Sequence, residues 1–155
     1  MPKVIKKYND SYRSTLVELL RSNTPDFFSP SEESDLNYYL DNHTENFYTI
    51  SLKNKIVGCG GFNLTEDDST AKIAWDIVHP TCHGQGLGSE LLKFRIQKIK
   101  EIEKIKTISV RTSQFAYGFY KKFGFQTREI IKDYWAEGFD LYKMDADIKL
   151  FKNLI

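Results

Sequence analysis

Three glycines at alternate positions, Gly84, Gly86 and Gly88, give the clearest chemical signal in this sequence. They follow a β-rich run that ends at Val78, and an apolar helical stripe begins near Gly86. Successive backbone N–H groups at a helix start point the same way and lie at the positive end of the helix dipole. Glycine also lets the main chain approach an anion without a side chain in between. The turn therefore predicts a binding site for a pyrophosphate.

Two common phosphate-binding motifs do not fit this turn. The chain has no G-x-x-x-x-G-K-S/T sequence, so a P-loop is excluded. The spacing G-x-G-x-G differs from the dinucleotide motif G-x-G-x-x-G, and the next strand, Thr107 to Thr112, carries no acidic residue for a ribose.

The turn and the strand before it resemble motif A of the GNAT superfamily of acetyltransferases. That motif reads V-x-P, a short spacer, and then Q/R-x-x-G-x-G/A. Here the first part is Val78-x-Pro80 and the second is His83-Gly84-Gln85-Gly86-Leu87-Gly88. His83 stands where the family has Gln or Arg, and main-chain binding of the anion does not depend on that side chain.

A second resemblance to the same family lies downstream. The family pattern N-x-x-A-x-x-F/L-Y-x-x-x-G-F is matched by Ser113-x-x-Ala116-x-x-Phe119-Tyr120-x-x-x-Gly124-Phe125, with Ser113 in place of Asn. Both motifs occur in the family's order and at its usual separation, and the resemblance covers roughly residues 47 to 144. It implies an α/β fold with a mixed sheet, the GNAT acyl-CoA N-acyltransferase fold, as a single domain over residues 1–155.

The resemblance implies acetyl-CoA as co-substrate and no metal. N–H groups of the turn would hold the coenzyme A diphosphate, and the extended pantetheine arm would pair with the edge of the preceding strand. An N–H of Ile77 or Val78 would polarise the thioester carbonyl. The cofactor-binding residues expected on this basis are Ile77, Val78, His83, Gly84, Gln85, Gly86, Leu87, Gly88, Ser89, Ser113 and Tyr120.

Two side chains are predicted to move protons while an amine attacks the thioester directly in a ternary complex. Tyr120 is predicted to be the general acid, because a phenol with a pKa of about 10 is protonated at neutral pH and can donate to a departing thiolate. Asp76, between apolar neighbours, has two interpretations. It is either the general base, or a structural residue that pairs with a nearby Arg or Lys or lies on the exposed side of the strand.

The acceptor site is predicted from two aromatic loops, residues 23–29 and 133–140. The acceptor-binding candidates are Phe27, Phe28, Tyr134 and Trp135. Rings of this kind suit an ammonium group or a flat amine through cation–π contact. The alternative is that these rings pack on the core or on a second subunit, and a homodimer is one expected assembly.

His79 and His83 have a spacing that metal ligands use on a helix. Pro80 lies between them in a loop, so the two rings need not share a face. No third ligand is apparent in the sequence, so we expect no metal site.

The hydrophobic periodicity predicts the element order β-α-α-β-β-β-α-β-α-β-β. The first helix is expected to be capped by Asp10, and the second to begin at Ser29 with Pro30 at its first position and Glu32 completing a capping box. The remaining elements are predicted over residues 4–6, 47–52, 56–63, 70–78, 107–112, 115–123, 125–135 and 139–145, with a helix from about residue 86.

Bulk composition narrows the classes of partner. The chain has 155 residues and a formal net charge of +1, which disfavours nucleic acid or a membrane as partner. A basic run on the third helix that includes Lys93 and Arg95 is expected to be a solvated face. Only two cysteines, Cys59 and Cys82, are present and the N-terminus lacks a signal-peptide pattern, so a cytoplasmic location is expected.

The predicted function is transfer of acetyl from acetyl-CoA to a primary amine of a small molecule, peptide or protein. The alternative is a non-catalytic acyl-CoA-binding module of the same fold. Tyr120 favours the enzyme, whereas the substitutions at His83 and Ser113 favour the module.

Overall fold

The computed structural model describes residues 2–154 of the chain, which form seven strands and four α-helices in the predicted order. Short 3₁₀ turns precede the first helix, follow the fourth strand and follow the last strand. The elements are β1 (Lys3–Lys7), α1 (Arg13–Ser22), α2 (Glu32–Asn42), β2 (Phe47–Leu52), β3 (Lys55–Leu64), β4 (Thr70–Val78), α3 (Leu87–Lys100), β5 (Thr107–Thr112), α4 (Tyr117–Phe123), β6 (Gln126–Ala136) and β7 (Phe139–Asp147).

The strands form one mixed sheet in the order β1-β2-β3-β4-β5-β7-β6. The pairs β1–β2, β2–β3, β5–β7 and β6–β7 are antiparallel, and β4–β5 is parallel. The mixed α/β fold predicted from the sequence is therefore confirmed.

The chain divides into two compact units. The first extends through Phe62 and includes Trp75–Arg95, and the second comprises Asn63–Ala74 and continues from Ile96. The expectation of a single domain over residues 1–155 stays a prediction.

Local chemistry accounts for the connections of the first unit. The β2–β3 hairpin turns at Lys53 and Asn54, whose φ values of 50° and 64° are those of a primed two-residue turn. One of the two hydrogen bonds of the predicted capping box is present, because the Ser29 N–H donates to the Glu32 carboxylate at 2.8 Å. The prediction of Ser29 as the N-cap is wrong, because Ser31 is the N-cap and the Ser29 hydroxyl accepts from the Ser31 N–H instead of the Glu32 N–H. The helix itself begins at Glu32 rather than at Pro30.

The prediction that Asp10 caps the first helix is wrong, both in the capping residue and in the element that is capped. Asn9, not Asp10, is the cap, because its side-chain oxygen accepts a hydrogen bond from the Ser11 N–H at 2.9 Å. The capped turn is a 3₁₀ turn over Asp10–Tyr12, and α1 starts after it at Arg13.

The core of each unit consists of apolar residues at the predicted periods. In the first unit it includes Leu16, Leu36, Phe47, Ile50 and Leu91, and in the second Ile108, Val110, Phe125, Leu141 and Met144. β6 is different, because it is an edge strand and its residues are exposed from Gln126 to Tyr134.

Candidate functional site

The predicted anion-binding turn connects β4 to α3 in the first unit. After β4 ends at Val78, a 3₁₀ turn over Pro80–Cys82 is capped by His79, whose Nδ1 accepts a hydrogen bond from the Thr81 N–H at 3.2 Å. The role of the His79 side chain is thus to start this turn.

Two of the three glycines adopt a backbone conformation that other residues resist. Gly84 and Gly86 both have φ of 80°, and no atom lies within 4 Å of a Cβ built at either position. The glycines are therefore required by the backbone angle and leave open space above the turn. That space is where a diphosphate would approach, so the geometry fits such a group.

The first turn of α3 supplies donors beside these glycines. The Gly86 carbonyl accepts a hydrogen bond from the Glu90 N–H at 3.0 Å, the i to i+4 bond that opens the helix. N–H groups ahead of that bond have no acceptor within the helix. They belong to Leu87, Gly88 and Ser89, which were predicted to bind the cofactor.

The two polar side chains of the turn bind main-chain oxygens of their own segment. His83 Nε2 lies 2.8 Å from the carbonyl oxygen of Val78, and Gln85 Nε2 donates to the Thr81 carbonyl at 3.3 Å. The His83 ring also meets the edge of Phe27, with 5.2 Å between centroids. These contacts close the turn on itself and engage both side chains within their own segment.

Strand β4 carries a backbone irregularity that the sequence does not reveal. Trp75 has φ of 56°, a left-handed conformation that is uncommon for a bulky residue and costs free energy. Ring contacts hold this residue: its indole stacks on Phe28 at 6.4 Å and meets the edge of Tyr39 at 6.5 Å. Parallel pairing of β4 with β5 covers Thr70–Ile73, just before Trp75.

Asp76 follows Trp75 and forms an ion pair with Arg95 of α3. The two groups lie 2.5 Å apart, from Arg95 Nη1 to Asp76 Oδ1, and the exposed fractions of the side chains are 1% and 21%. This ion pair agrees with the interpretation that Asp76 is the partner of a nearby Arg or Lys. The expectation that Arg95 lies on a solvated helix face is wrong, because Arg95 faces the core between α3 and the sheet.

Gly60 of β3 makes room for this pair. A Cβ on Gly60 would collide with the Asp76 carboxylate and lie 2.9 Å from the Arg95 guanidinium. Arg95 Nη1 also donates to the Gly61 carbonyl at 2.9 Å. Beside the pair lies Cys59, a free thiol whose pKa is raised mainly by burial and further by the Asp76 charge.

The second motif lies in the second unit. Tyr120 on α4 is 3% exposed, and its ring meets the edges of Phe119 at 5.0 Å and Phe125 at 5.8 Å. Gly124, with φ of 105°, terminates the helix in the left-handed conformation that glycine favours.

Ser113 serves the start of α4. Its Oγ accepts a hydrogen bond from the Phe115 N–H at 3.2 Å, and its carbonyl accepts from the Tyr117 N–H at 3.0 Å. The helix begins at Tyr117 rather than at Phe115 as predicted, because Ser113 and the two residues after it form the entry turn.

The four predicted acceptor residues fall into two pairs, one in each unit. Phe27 and Phe28 contact His83 and Trp75 in the first unit, as described above. In the second unit Tyr134 meets the edge of Trp135 at 5.1 Å, and the Trp135 Nε1–H donates to the Thr112 carbonyl at 3.3 Å.

Tyr134 already binds a cation of its own chain. Arg111 Nη2 donates to the Tyr134 hydroxyl at 2.6 Å, and the guanidinium carbon lies 5.0 Å from the ring centroid. This contact uses the cation–π face that was predicted for an acceptor ammonium. The sequence analysis did not predict this role of Arg111, because nothing in its position on β5 indicates a contact with Tyr134.

Residues 2–154 contain no group of three or more His, Cys, Asp or Glu side chains arranged to hold a metal ion. None of the helices in that range combines the length and apolar character that a membrane span requires.

Comparisons with known proteins agree with the two motifs. The model of the acetyltransferase (GNAT) family matches residues 14–125. A Bacillus subtilis (strain 168) protein named "Putative ribosomal protein bS18-alanine N-acetyltransferase" is 31% identical over 114 residues, which is 72% of this chain and 74% of that protein.

Two solved structures illustrate the likeness of fold. The ribosomal-protein-S18-alanine N-acetyltransferase from Escherichia coli matches with a TM-score of 0.78 at 17% identity, over 95% of this chain and 94% of that chain. An aminoglycoside 6′-N-acetyltransferase complexed with coenzyme A matches with a TM-score of 0.74 at 14% identity, over 94% and 97% of the two chains. The predicted fold is confirmed by these matches.

Proposed function

Because this chain belongs to the acetyltransferase (GNAT) family, we propose that it transfers the acetyl group of acetyl-CoA to a primary amine by direct attack in a ternary complex. The observation that carries this proposal is the turn at Gly84 and Gly86, which opens onto the N–H groups that start α3. Donors at a helix start suit a diphosphate, which acetyl-CoA supplies together with the activated thioester.

The residues of this chain would act in three ways. The N–H groups from His83 to Ser89 hold the diphosphate, and an N–H of Ile77 or Val78 stabilises negative charge on the carbonyl oxygen. The amine nitrogen then bonds to the acetyl carbon as the carbon–sulfur bond breaks. Tyr120 donates its hydroxyl proton to the departing sulfur.

The amine must also lose a proton, which passes either to Asp76 or to solvent water. A terminal α-amine has a pKa of about 7.7–8.0, against about 10.4 for a lysine side chain. An α-amine is therefore substantially neutral near pH 8 and requires little of a protein base. Such an acceptor is compatible with an Asp76 that is held in an ion pair.

We propose an N-terminal amine beginning with alanine as the first acceptor to test. The support is the Bacillus subtilis relative, whose name specifies an alanine of a ribosomal protein and whose identity to this chain exceeds that of the structural neighbours. Phe27 and Phe28 are the acceptor-binding candidates of the first unit, and Tyr134 and Trp135 are those of the second. Since the Arg111 guanidinium already lies over the Tyr134 ring, we expect the two phenylalanines to contribute more to acceptor binding than Tyr134 does.

The test is release of free coenzyme A thiol with a panel of amines. The panel contains a peptide with N-terminal alanine, the same peptide with a blocked N-terminus and a lysine side chain, and small-molecule amines. We expect turnover with the free alanine peptide only. Binding of acetyl-CoA without thiol release for any amine would instead support the non-catalytic module, which the substitutions at His83 and Ser113 favour.

The same assay tests the proton donor. Tyr120→Phe should bind coenzyme A normally but turn over about 10²- to 10⁴-fold more slowly, the usual contribution of an acid catalyst. Tyr117→Phe, on the same helix and stacked on Tyr142 at 4.5 Å, is the matched control and should retain its rate. An unchanged rate for Tyr120→Phe would remove the assignment.

We also propose that the enzyme works in a reducing cytoplasm, because Cys59 and Cys82 are both free thiols. The homodimer stays a prediction.

A further inference from the structure

One buried guanidinium in the first unit binds three elements at once. Arg95 projects from α3, and its Nη1 lies 2.5 Å from the Asp76 carboxylate on β4. The same Nη1 donates to the Gly61 carbonyl on β3 at 2.9 Å, and Nε donates to the Leu91 carbonyl of its own helix at 3.2 Å. No other basic residue between positions 2 and 154 is buried in this way.

Burying the Arg95–Asp76 ion pair costs free energy, because both charges lose contact with water. Leucine or methionine at position 95 would continue the apolar stripe of α3 without the cost of removing a charge from water, and such replacements often stabilise proteins. What an ion pair adds is direction, because the carboxylate and the guanidinium bond only in particular orientations. The small residue at Gly60, where a Cβ would strike both groups, is consistent with a specific geometry.

Each residue of this pair belongs to an element that carries one of the two places where acetyl-CoA is proposed to bind. Arg95 is on the helix whose first turn carries the diphosphate-binding N–H groups. Asp76 directly precedes Ile77 and Val78, whose N–H groups are proposed to bind the thioester. An extended ligand that touches both places requires a constant separation between them.

We propose that Arg95 and Asp76 form a positioning pair, which locks the end of β4 to α3 and so sets the distance between the diphosphate-binding turn and the thioester-binding N–H groups. Asp76 acts through this pair and does not accept the acceptor's proton. Trp75 has a positive φ, so β4 leaves its regular strand conformation one residue before Asp76. The ion pair is therefore needed to fix the position of the end of β4. This inference rests on the proposed function for its ligand, though not for the contacts themselves.

The test uses the full chain with Asp76→Asn, Arg95→Met and the double variant. The control is Ile96→Val, a mild change at a fully buried neighbour on α3. Arg95→Lys is added because it keeps the buried charge and provides a folded protein if Arg95→Met does not fold. Steady-state kinetics for acetyl-CoA are measured across the pH range from about 6 to 9, which spans the ordinary pKa of an α-amine acceptor.

We expect each single variant to raise KM for acetyl-CoA by roughly 10- to 100-fold, the scale of a small misplacement of a bound substrate. The rise in KM for the double variant should not exceed that of the more impaired single variant, because the two residues act as one unit. The acidic limb of the kcat/KM profile should persist in Asp76→Asn, and Arg95→Lys should recover part of the loss. Ile96→Val should resemble the wild type.

Three results would overturn the proposal. One is loss of the acidic limb in Asp76→Asn with an unchanged KM, which would make Asp76 the base. Another is a double variant whose defect is the product of the two single defects. The third is an Arg95→Met protein that behaves like Ile96→Val.

A readout without turnover separates this inference from the proposed function. Amide hydrogen exchange of the unliganded protein should be faster at residues 76–78 in Asp76→Asn and Arg95→Met than in the wild type and in Ile96→Val. Unchanged exchange refutes the positioning pair even if the protein acetylates amines. Faster exchange supports the pair even if no amine is acetylated and the proposed function fails.

Discussion

Replacing glycines of the turn before α3 by alanine gives a direct test of where coenzyme A binds. Gly84 and Gly86 share φ of 80° and have no atom within 4 Å of an added Cβ, so Gly84→Ala and Gly86→Ala meet backbone strain but no collision inside the protein. Gly138, in the β6–β7 turn, has φ of 83° and the same open surroundings. Gly138→Ala is therefore a matched control for the strain.

The cost to folding should be the same at the three positions. A left-handed conformation costs an L-residue roughly 1–2 kcal/mol, so each variant should lose about that much free energy of unfolding. In a chain of this size, a loss of 1 kcal/mol lowers Tm by about 2–4 °C. Thermal denaturation without ligand should show three nearly equal shifts.

The cost to coenzyme A binding should differ sharply among the same variants. A methyl group at Gly84 or Gly86 keeps the diphosphate away from the N–H groups, and a lost hydrogen bond to a charged group is worth about 1.5–3 kcal/mol. Since about 1.4 kcal/mol corresponds to a factor of ten in Kd, we expect Kd to rise roughly 10- to 100-fold for these two variants.

Isothermal titration calorimetry with coenzyme A measures this difference. Gly138→Ala should keep the wild-type Kd at a temperature well below its Tm. The reasoning is refuted if Gly86→Ala binds coenzyme A as tightly as the wild type, or if Gly138→Ala weakens binding as much as the turn variants do.

Other predictions concern stability and reactivity. Gly60→Ala should lower the free energy of unfolding by about 1–3 kcal/mol through overpacking against the ion pair, whereas Gly118→Ala on α4, with nothing within 4 Å, should raise it by about 0.5–1 kcal/mol in the same denaturation series. A thiol reagent should label Cys82 but not the fully buried Cys59 in the native protein, and mass spectrometry after digestion shows which thiol reacted. Burial raises the pKa of Glu32, so the folded state binds its proton more tightly than the unfolded state does. The contribution of Glu32 to stability should therefore fall as pH rises through its unfolded and then its folded pKa, and Glu32→Gln should gain stability over the wild type at neutral pH but not in acid.

The secondary structure was largely readable from the sequence because its signals are local. The alternation of apolar residues predicted β4 at residues 70–78, as observed, and the sequence from Ser29 to Glu32 indicated where α2 begins. The errors were at element ends, where the cap is chosen by turn geometry. Asn9 rather than Asp10 accepts the first N–H, and Ser113 delays the start of α4.

The candidate site was only partly readable, because some of its contacts join residues that are distant in the chain. The sequence places Arg95 among lysines, and nothing in its neighbours indicates a buried partner on β4. The positive φ of Trp75 gives no sequence signal either, since a tryptophan inside a β-rich run is typical of a regular strand. The Arg111–Tyr134 contact likewise depends on how β5 and β6 lie against β7.

The sequence by itself determined the glycine turn before α3 and the order of helices and strands, because backbone angles and helix starts depend on residues next to one another. Only the tertiary structure decided which charges are buried and which rings are already occupied. Those outcomes depend on which side chains the sheet brings together, and no period along the chain encodes that pairing.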